Sequence, residues 1–312
     1  MSSSAAIRAR ALRKEDYGCP LPTFFHPGAE GVRQRVLLET LGALEEASAT
    51  ASYHVLAQHN LARWNAQAIE AGRKERPDAR EERTRCTVLV LPGDWGAVTL
   101  QLTQRFGETF ACLNMANAYG PGGGYTDGMV AQEENMFRRT DCHFALDPQL
   151  MDKDRLEYIP QHSRLLNAVD GRVYLDTESP RVCIRGPEDR SQSDLGYAWL
   201  NDDEVFPFYE LRAAAMDLRD GSSFDSEKTA RRIRAQLDTL IDKGVRYVVL
   251  SAFGCGAFRN PAHRVSAIYR QELECRANSF SVVAFAIFHA GYGPNNFAPF
   301  ENAFAGWPGP TT

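Results

Sequence analysis

The sequence predicts an α/β protein with three layers, buried strands alternating with helices. Three observations carry this reading. Short apolar runs such as Cys86 to Leu91 (C-T-V-L-V-L), Val245 to Ala252 and Phe280 to Phe288 have the length and continuity of strands buried on both faces. Stretches of helical spacing separate them. At 312 residues the chain is long enough for one large core or two small ones.

Taken in order, Arg33 to Ala71 carries a helical stripe through Val36, Leu37, Thr40, Leu41 and Leu44, with Val55, Leu56 and Leu61 later. Glu70 to Arg85 is crowded with charge and holds Pro77, so it reads as an exposed connection. Cys86 to Leu91 is a strand and Phe110 to Asn114 another. Gly171 to Ile184 reads as two short strands around a turn at Glu178-Ser179-Pro180. Ser222 to Lys243 is helical through Ile233, Leu237, Leu240 and Ile241, and leads through Gly244 into the strand at Val245. Gly293-Pro294-Asn295-Asn296-Phe297 reads as a polar-aromatic loop. There is no repeat, low-complexity tract or clear linker. A single domain over residues 21–306 is expected, with ragged ends before about residue 20 and after Gly306.

Composition narrows the class. Net charge is −5 with Lys and Arg scattered, so bare DNA or RNA is not an expected partner. No apolar run approaches the ~18 residues that span a membrane. Met1 to Lys14 lacks the apolar stretch of a secretory signal. The seven cysteines, Cys19, Cys86, Cys112, Cys142, Cys183, Cys255 and Cys275, form no C-x-x-C, and no histidine stands at zinc-finger spacing. A reducing, cytoplasmic setting with no structural metal and no cofactor is expected, and a monomer. Of the scattered histidines, His289 ends a buried run and reads as a core or edge residue.

One stretch is richer in chemistry. Gly122-Gly123-Gly124 is followed, after seven residues, by Gln132-Glu133-Glu134. Glycines bare the backbone so that a ligand can approach its N–H groups, and two carboxylates follow. The order is strand, glycine loop, carboxylates, helix, which is how anion sites are often built. In that helix Met136 and Phe137 are expected in a core, and Arg138, Arg139 and Asp141 in water. Alone, a triple glycine is also a surface turn, and a Glu pair also a solvated helix start. Asn117, at the strand end, has the alternative role of capping loop N–H groups.

The segment L-N-M-A-N-A-Y-G-P-G-G-G-Y-T-D-G-M-V-A-Q-E-E-N-M-F-R-R-T, Leu113 to Thr140, resembles the core of the poly(ADP-ribose) glycohydrolases in their shorter microbial form. A second segment, Leu250 to Phe258 (L-S-A-F-G-C-G-A-F), resembles that family's other ligand loop. The resemblance spans roughly Arg33 to Phe304. It implies a macrodomain-like fold: a mixed central sheet between helices over about 86–306, with a helical extension over about 33–85. It also implies hydrolysis of ribose–ribose O-glycosidic bonds in poly(ADP-ribose), with ADP-ribose as product. Glu134 takes the general acid/base role, and Glu133 holds the ribose. Asn117, Gly122, Gly123, Gly124, Gln132, Gly254, Cys255, Gly256, Ala257 and Phe258 line the substrate. Asn135-Met136-Phe137 departs from a more aliphatic helix start.

The chemistry fits such a site. Breaking a ribosyl bond passes through an oxocarbenium ion and needs a proton on the departing oxygen. Neighbouring carboxylates can raise one another's affinity for that proton. The adenine slot is a guess among Tyr292, Asn296 and Phe297. Tyr197 to Tyr209 looks individual to this chain and is assigned to a pocket rim. Two alternatives stay open: removal of single ADP-ribose groups from protein or nucleic acid, and an ADP-ribose reader without turnover.

Overall fold

The computed structural model describes residues 29–47, 53–72, 86–152, 157–289 and 294–307. The expectations for residues 1–20, for the charged connection over 73–85 and for Tyr292 lie outside the described residues. In chain order the elements are α1 (Ala29–Ala47), α2 (Tyr53–Glu70), β1 (Thr87–Pro92), α3 (Trp95–Phe106), β2 (Ala111–Met115), α4 (Gln132–Arg139) and α5 (Pro160–Leu166). There follow β3 (Tyr174–Cys183), β4 (Phe206–Ala213), α6 (Ser226–Asp242), β5 (Tyr247–Leu250), α7 (Ala262–Glu274), β6 (Val282–Ile287) and α8 (Phe297–Phe304). The chain divides into two compact units. One comprises Met1–Asn60, Ala116–Ser163 and Arg181–Pro207; the other comprises Leu61–Met115, Arg164–Pro180 and Phe208–Thr312.

The second unit is built on a six-stranded sheet of order β1-β6-β5-β2-β4-β3. β6 pairs in parallel with β1 and β5, and β2 in parallel with β5 and β4. Parallel strands covered on both faces should be apolar throughout, and all six residues of β6 are buried. The core gathers Leu113, Leu211, Val248, Leu250, Val283 and Phe285 from the strands with Ile233, Leu237, Val265, Tyr269 and Phe300 from the helices. α3 begins where the Asp94 carboxylate accepts the N–H groups of Gly96 and Ala97, and ends at Gly107 with φ 61°. One polar lattice lies inside the sheet. Arg212 donates from Nε and Nη2 to the two oxygens of Glu210 at 2.7 and 2.8 Å, and Asn114 Nδ2 donates to Glu210 Oε1 at 2.8 Å. All three residues are buried, so each charge needs the other.

The first unit contains α1, the start of α2, α4 and the chain around β3's end. Thr40 Oγ1 on α1 donates to the Arg138 carbonyl at the end of α4, 2.7 Å away. Leu44, Ala57, Val182, Ile184 and Val205 form one apolar cluster, and Asn60 Nδ2 closes it by donating to the carbonyls of Asp202 and Val205.

The predicted α/β class holds, and each segment predicted as strand or helix contains one, though Arg33 to Ala71 is two helices. Three local readings need correction in whole or in part. Gly171 to Ile184 is one strand, β3, running straight through Glu178-Ser179-Pro180. Of the polar-aromatic loop, residues 294–296 are irregular, as read, while Phe297 opens α8 and packs on the core of its unit. His289, expected as a core or edge residue, is exposed. No helix among the described residues is long and apolar enough to cross a membrane.

Candidate active site

Both carboxylates of the motif stand in the first turn of α4, and their side chains turn back onto the glycine loop. Glu133 Oε2 accepts the backbone N–H of Asn117 at 2.7 Å. Glu134 Oε1 accepts the backbone N–H of Gly124 at 3.1 Å. Glu133 is buried and Glu134 only partly so. No hydrogen bond from a described residue reaches Glu134 Oε2. The loop is thus stitched to the helix by its own carboxylates, and one carboxylate oxygen is left to face a ligand.

The glycines are required by this stitching. Gly123 has φ 58°, and a Cβ there would lie 2.5 Å from Glu134 Oε1 and 3.1 Å from Glu133 Oε2. Gly122 has φ 71°, and its Cβ would meet the Tyr125 ring at 2.6 Å and the Phe137 ring at 2.9 Å. Tyr125 and Phe137 pack at a ring separation of 4.7 Å beneath the loop, and the Tyr125 hydroxyl is 2.8 Å from His143 Nδ1. A methyl group at either glycine therefore displaces a carboxylate or an aromatic ring. Gly124 is half-buried, and Gln132 opens α4 in a half-buried position.

Asn117 performs the capping role that the sequence left open. Its Oδ1 accepts the N–H groups of Tyr119 at 2.8 Å and Gly120 at 3.0 Å. That fixes the amide plane and leaves Nδ2 as the group available to a ligand.

The Gly254 to Phe258 segment belongs to the second unit and follows β5. Gly254 has φ 71°, and a Cβ there would meet Ala215 Cβ at 2.5 Å. Asn260 Nδ2 donates to the carbonyls of Gly254 and Met216 and pins the turn. Gly256 and Ala257 are exposed and Phe258 is half-buried, with the Arg219 guanidinium 5.0 Å from its ring centre. Cys255 is buried, and that burial pushes its thiol up to about 12. It is a packing residue rather than a nucleophile at neutral pH.

Behind α4 lies a buried polar network that the sequence reading missed. Arg138 and Arg139, expected in water, are buried completely or nearly so, at 0% and 1% exposure. Arg138 Nε donates to the Tyr197 hydroxyl at 3.1 Å; Arg139 Nε donates to the Arg185 carbonyl at 3.0 Å. Asp141 is partly buried, accepts the Val182 N–H and pairs with His54 at 2.8 Å. Tyr197, assigned to a pocket rim, is also fully buried. Its hydroxyl donates to Glu188 Oε2 at 2.7 Å, and Glu188 also accepts from Arg33 and Arg190. A run of arginines closing a helix with two glutamates at its start suits the helix dipole, and that was the available signal. Their partners, 46 to 59 positions away in irregular backbone, leave no periodicity to read.

Among solved structures the chain is similar to poly(ADP-ribose) glycohydrolase from Thermomonospora curvata, with 21% identity and a TM-score of 0.58, over 87% of this chain and 99% of that one. The same enzyme bound to the inhibitor ADP-HPD matches with a TM-score of 0.57 at 21% identity, over 87% of this chain and 99% of that one. Poly(ADP-ribose) glycohydrolase from Deinococcus radiodurans in complex with ADP-ribose matches at 19% identity with a TM-score of 0.52, over 78% of this chain and 92% of that one. At such identities these likenesses establish the fold. The family model described as the microbial-type PARG catalytic domain matches residues 39–165, the stretch that holds α4 and the glycine loop. No curated protein sequence matches the chain.

Glu188 ties the network to pH. Burial alone would raise its pKa, but hydrogen bonds from Arg33, Tyr197 and Arg190 and the Arg33 charge outweigh it, lowering it from 4.5 to about 2. A carboxylate with a depressed folded-state pKa contributes stability that is complete above its unfolded pKa and fades as pH falls toward the folded one. The contribution is roughly 3 kcal/mol, of which about 2 kcal/mol is gone by pH 3. Glu188→Gln should start less stable at pH 6 but lose less between pH 6 and pH 3 than the parent. Urea unfolding at the two pH values measures this, and equal losses in both proteins would contradict it.

Proposed function

We propose that this chain, which matches the microbial-type poly(ADP-ribose) glycohydrolase catalytic domain over residues 39–165, hydrolyses ribose–ribose O-glycosidic bonds of poly(ADP-ribose) and releases ADP-ribose. The observation that carries this reading is the pair of carboxylates bound to the backbone of the loop at Asn117 and at Gly124, with Glu134 Oε2 left for a ligand.

In the proposed reaction Glu134 enters protonated and gives its proton to the departing ribose oxygen as the glycosidic bond breaks. Positive charge builds on the anomeric carbon and ring oxygen. Water attacks that carbon, and the Glu134 carboxylate takes the proton the water sheds, which returns the acid to its starting state. Glu133 is assigned to a ribose hydroxyl, the Asn117 amide to the same sugar, and Gly122, Gly123, Gly124 and Gln132 to its surroundings. The reaction as written draws on no cofactor. Gly254, Cys255, Gly256, Ala257 and Phe258 are proposed as substrate-binding residues on the strength of their own turn, since the N–H groups of Gly256, Ala257 and Phe258 have no acceptor among the described residues. Such a run of N–H groups suits a phosphate. A polymeric partner read locally in this way fits a chain of net charge −5. A reducing, cytoplasmic setting is proposed from the cysteine pattern of the sequence alone.

Glu134→Gln keeps the shape and removes the proton, so the rate should fall by roughly two orders of magnitude or more while ADP-ribose affinity stays close to the parent value. Turnover of labelled polymer together with calorimetric binding checks both, and near-parental turnover would end the assignment.

Gly123→Ala should cost roughly 100-fold in rate, because the new methyl group must push the Glu134 carboxylate aside. Rates are compared per folded molecule; an unchanged rate would mean that the carboxylate's position on the loop is immaterial.

A further inference from the structure

We infer that Tyr197 is a positioning residue for the proposed catalytic helix, its buried hydroxyl fixing the rotation and height of α4 and hence of Glu133 and Glu134. The inference rests on the reading of those carboxylates as the site.

Tyr197 is fully buried, and its hydroxyl makes the full complement of bonds open to such a group. It accepts from Arg138 Nε at 3.1 Å and from Asn135 Nδ2 at 3.3 Å, and donates to Glu188 Oε2 at 2.7 Å. The direction of each bond is forced. The Arg138 and Asn135 nitrogens only donate, and the Asn135 amide is oriented because its Oδ1 accepts from Arg139 Nη1 at 2.9 Å. The hydroxyl hydrogen is therefore left for Glu188. Two of the three partners sit on α4, one and four residues after Glu134, so the hydroxyl grips that helix on two successive turns.

The other end of the grip is anchored. Glu188 is bound through both oxygens by Arg33 at 3.1 and 3.2 Å, and by Arg190 at 2.8 Å. The Tyr197 carbonyl accepts from Arg185 Nη1 at 2.8 Å, and its N–H donates to the Pro187 carbonyl at 3.2 Å. The ring packs with Ala29, Val32, Val36 and Leu195.

The backbone pays for this placement. Leu195, Gly196 and Tyr197 have φ of 60°, 67° and 53° in succession, a left-handed run that a leucine and a tyrosine rarely adopt. Such strain persists where surroundings over-determine a residue, and it concentrates where a position matters for function. α4 has only eight residues, and its N-terminal neighbour Ala131 supplies no side-chain cap, so the helix has little rigidity of its own.

Tyr197→Phe keeps the ring and deletes the hydroxyl. Val36→Ala serves as a control, since it trims the same apolar cluster and leaves the hydroxyl bonds in place. For poly(ADP-ribose), Tyr197→Phe should lower kcat at least about tenfold with KM within about twofold of the parent. It should also speed hydrogen exchange at the amides of residues 132–139. Val36→Ala should lower the melting temperature while leaving kcat per folded molecule and that exchange near the parent values. Equal kcat in the two variants, or unchanged exchange over residues 132–139 in Tyr197→Phe, overturns the inference. Should Tyr197→Phe not fold, Asn135→Ala removes one arm of the same grip and is held to the same kcat and exchange outcomes. If the parent protein itself leaves the polymer intact, the hydrolase reading falls, and the exchange comparison still decides whether Tyr197 holds α4.

Discussion

Two hydrogen bonds set what this site can be: Glu133 Oε2 to the Asn117 N–H and Glu134 Oε1 to the Gly124 N–H. They join the first turn of a short helix to a loop with no side chains in the way. Each removes one degree of freedom from a side chain that is asked to act in a defined direction. The left-handed glycine at 123 follows from them, because any Cβ there would occupy the space the Glu134 carboxylate needs.

The same constraint explains the buried charge behind α4. A helix whose N-terminal face must present carboxylates has to be held by its other sides. Arg138 and Arg139 do this as long buried side chains that end on the Tyr197 hydroxyl and the Arg185 carbonyl. A hydrophobic helix end would pack with less desolvation, but would not specify one rotation as these directional bonds do. The strained run at Leu195 to Tyr197 belongs to the same arrangement, since it brings a tyrosine hydroxyl to the point where α4 and Glu188 meet.

Much of the fold was legible because strands buried on both faces are written as apolar runs. Val245 to Ala252 and Phe280 to Phe288 became β5 and β6 within a few residues. The glycine triplet and the Glu pair were legible because loops and first turns bring nearby residues together, and the structure joins them as sequence neighbours can be joined. β4 was not legible: Phe206-Pro207-Phe208-Tyr209 looked like rim material, and its Glu210 and Arg212 do not read as a central strand until each is seen to neutralise the other. Arg138 and Arg139 were misplaced for the same reason. A charge reads as solvent-facing unless its partner is visible, and these partners lie at Arg185 and Tyr197. Asn117 was the intermediate case: both roles were written in its position, and the structure shows the cap directly while leaving Nδ2 for a ligand.

The most direct measurement is the product released when the parent protein is incubated with end-labelled and uniformly labelled poly(ADP-ribose), followed by chromatography. The account predicts free ADP-ribose accumulating with time in proportion to protein. Polymer that stays at full length, whether bound or ignored, would contradict it and leave the carboxylates of α4 without the chemistry assigned to them.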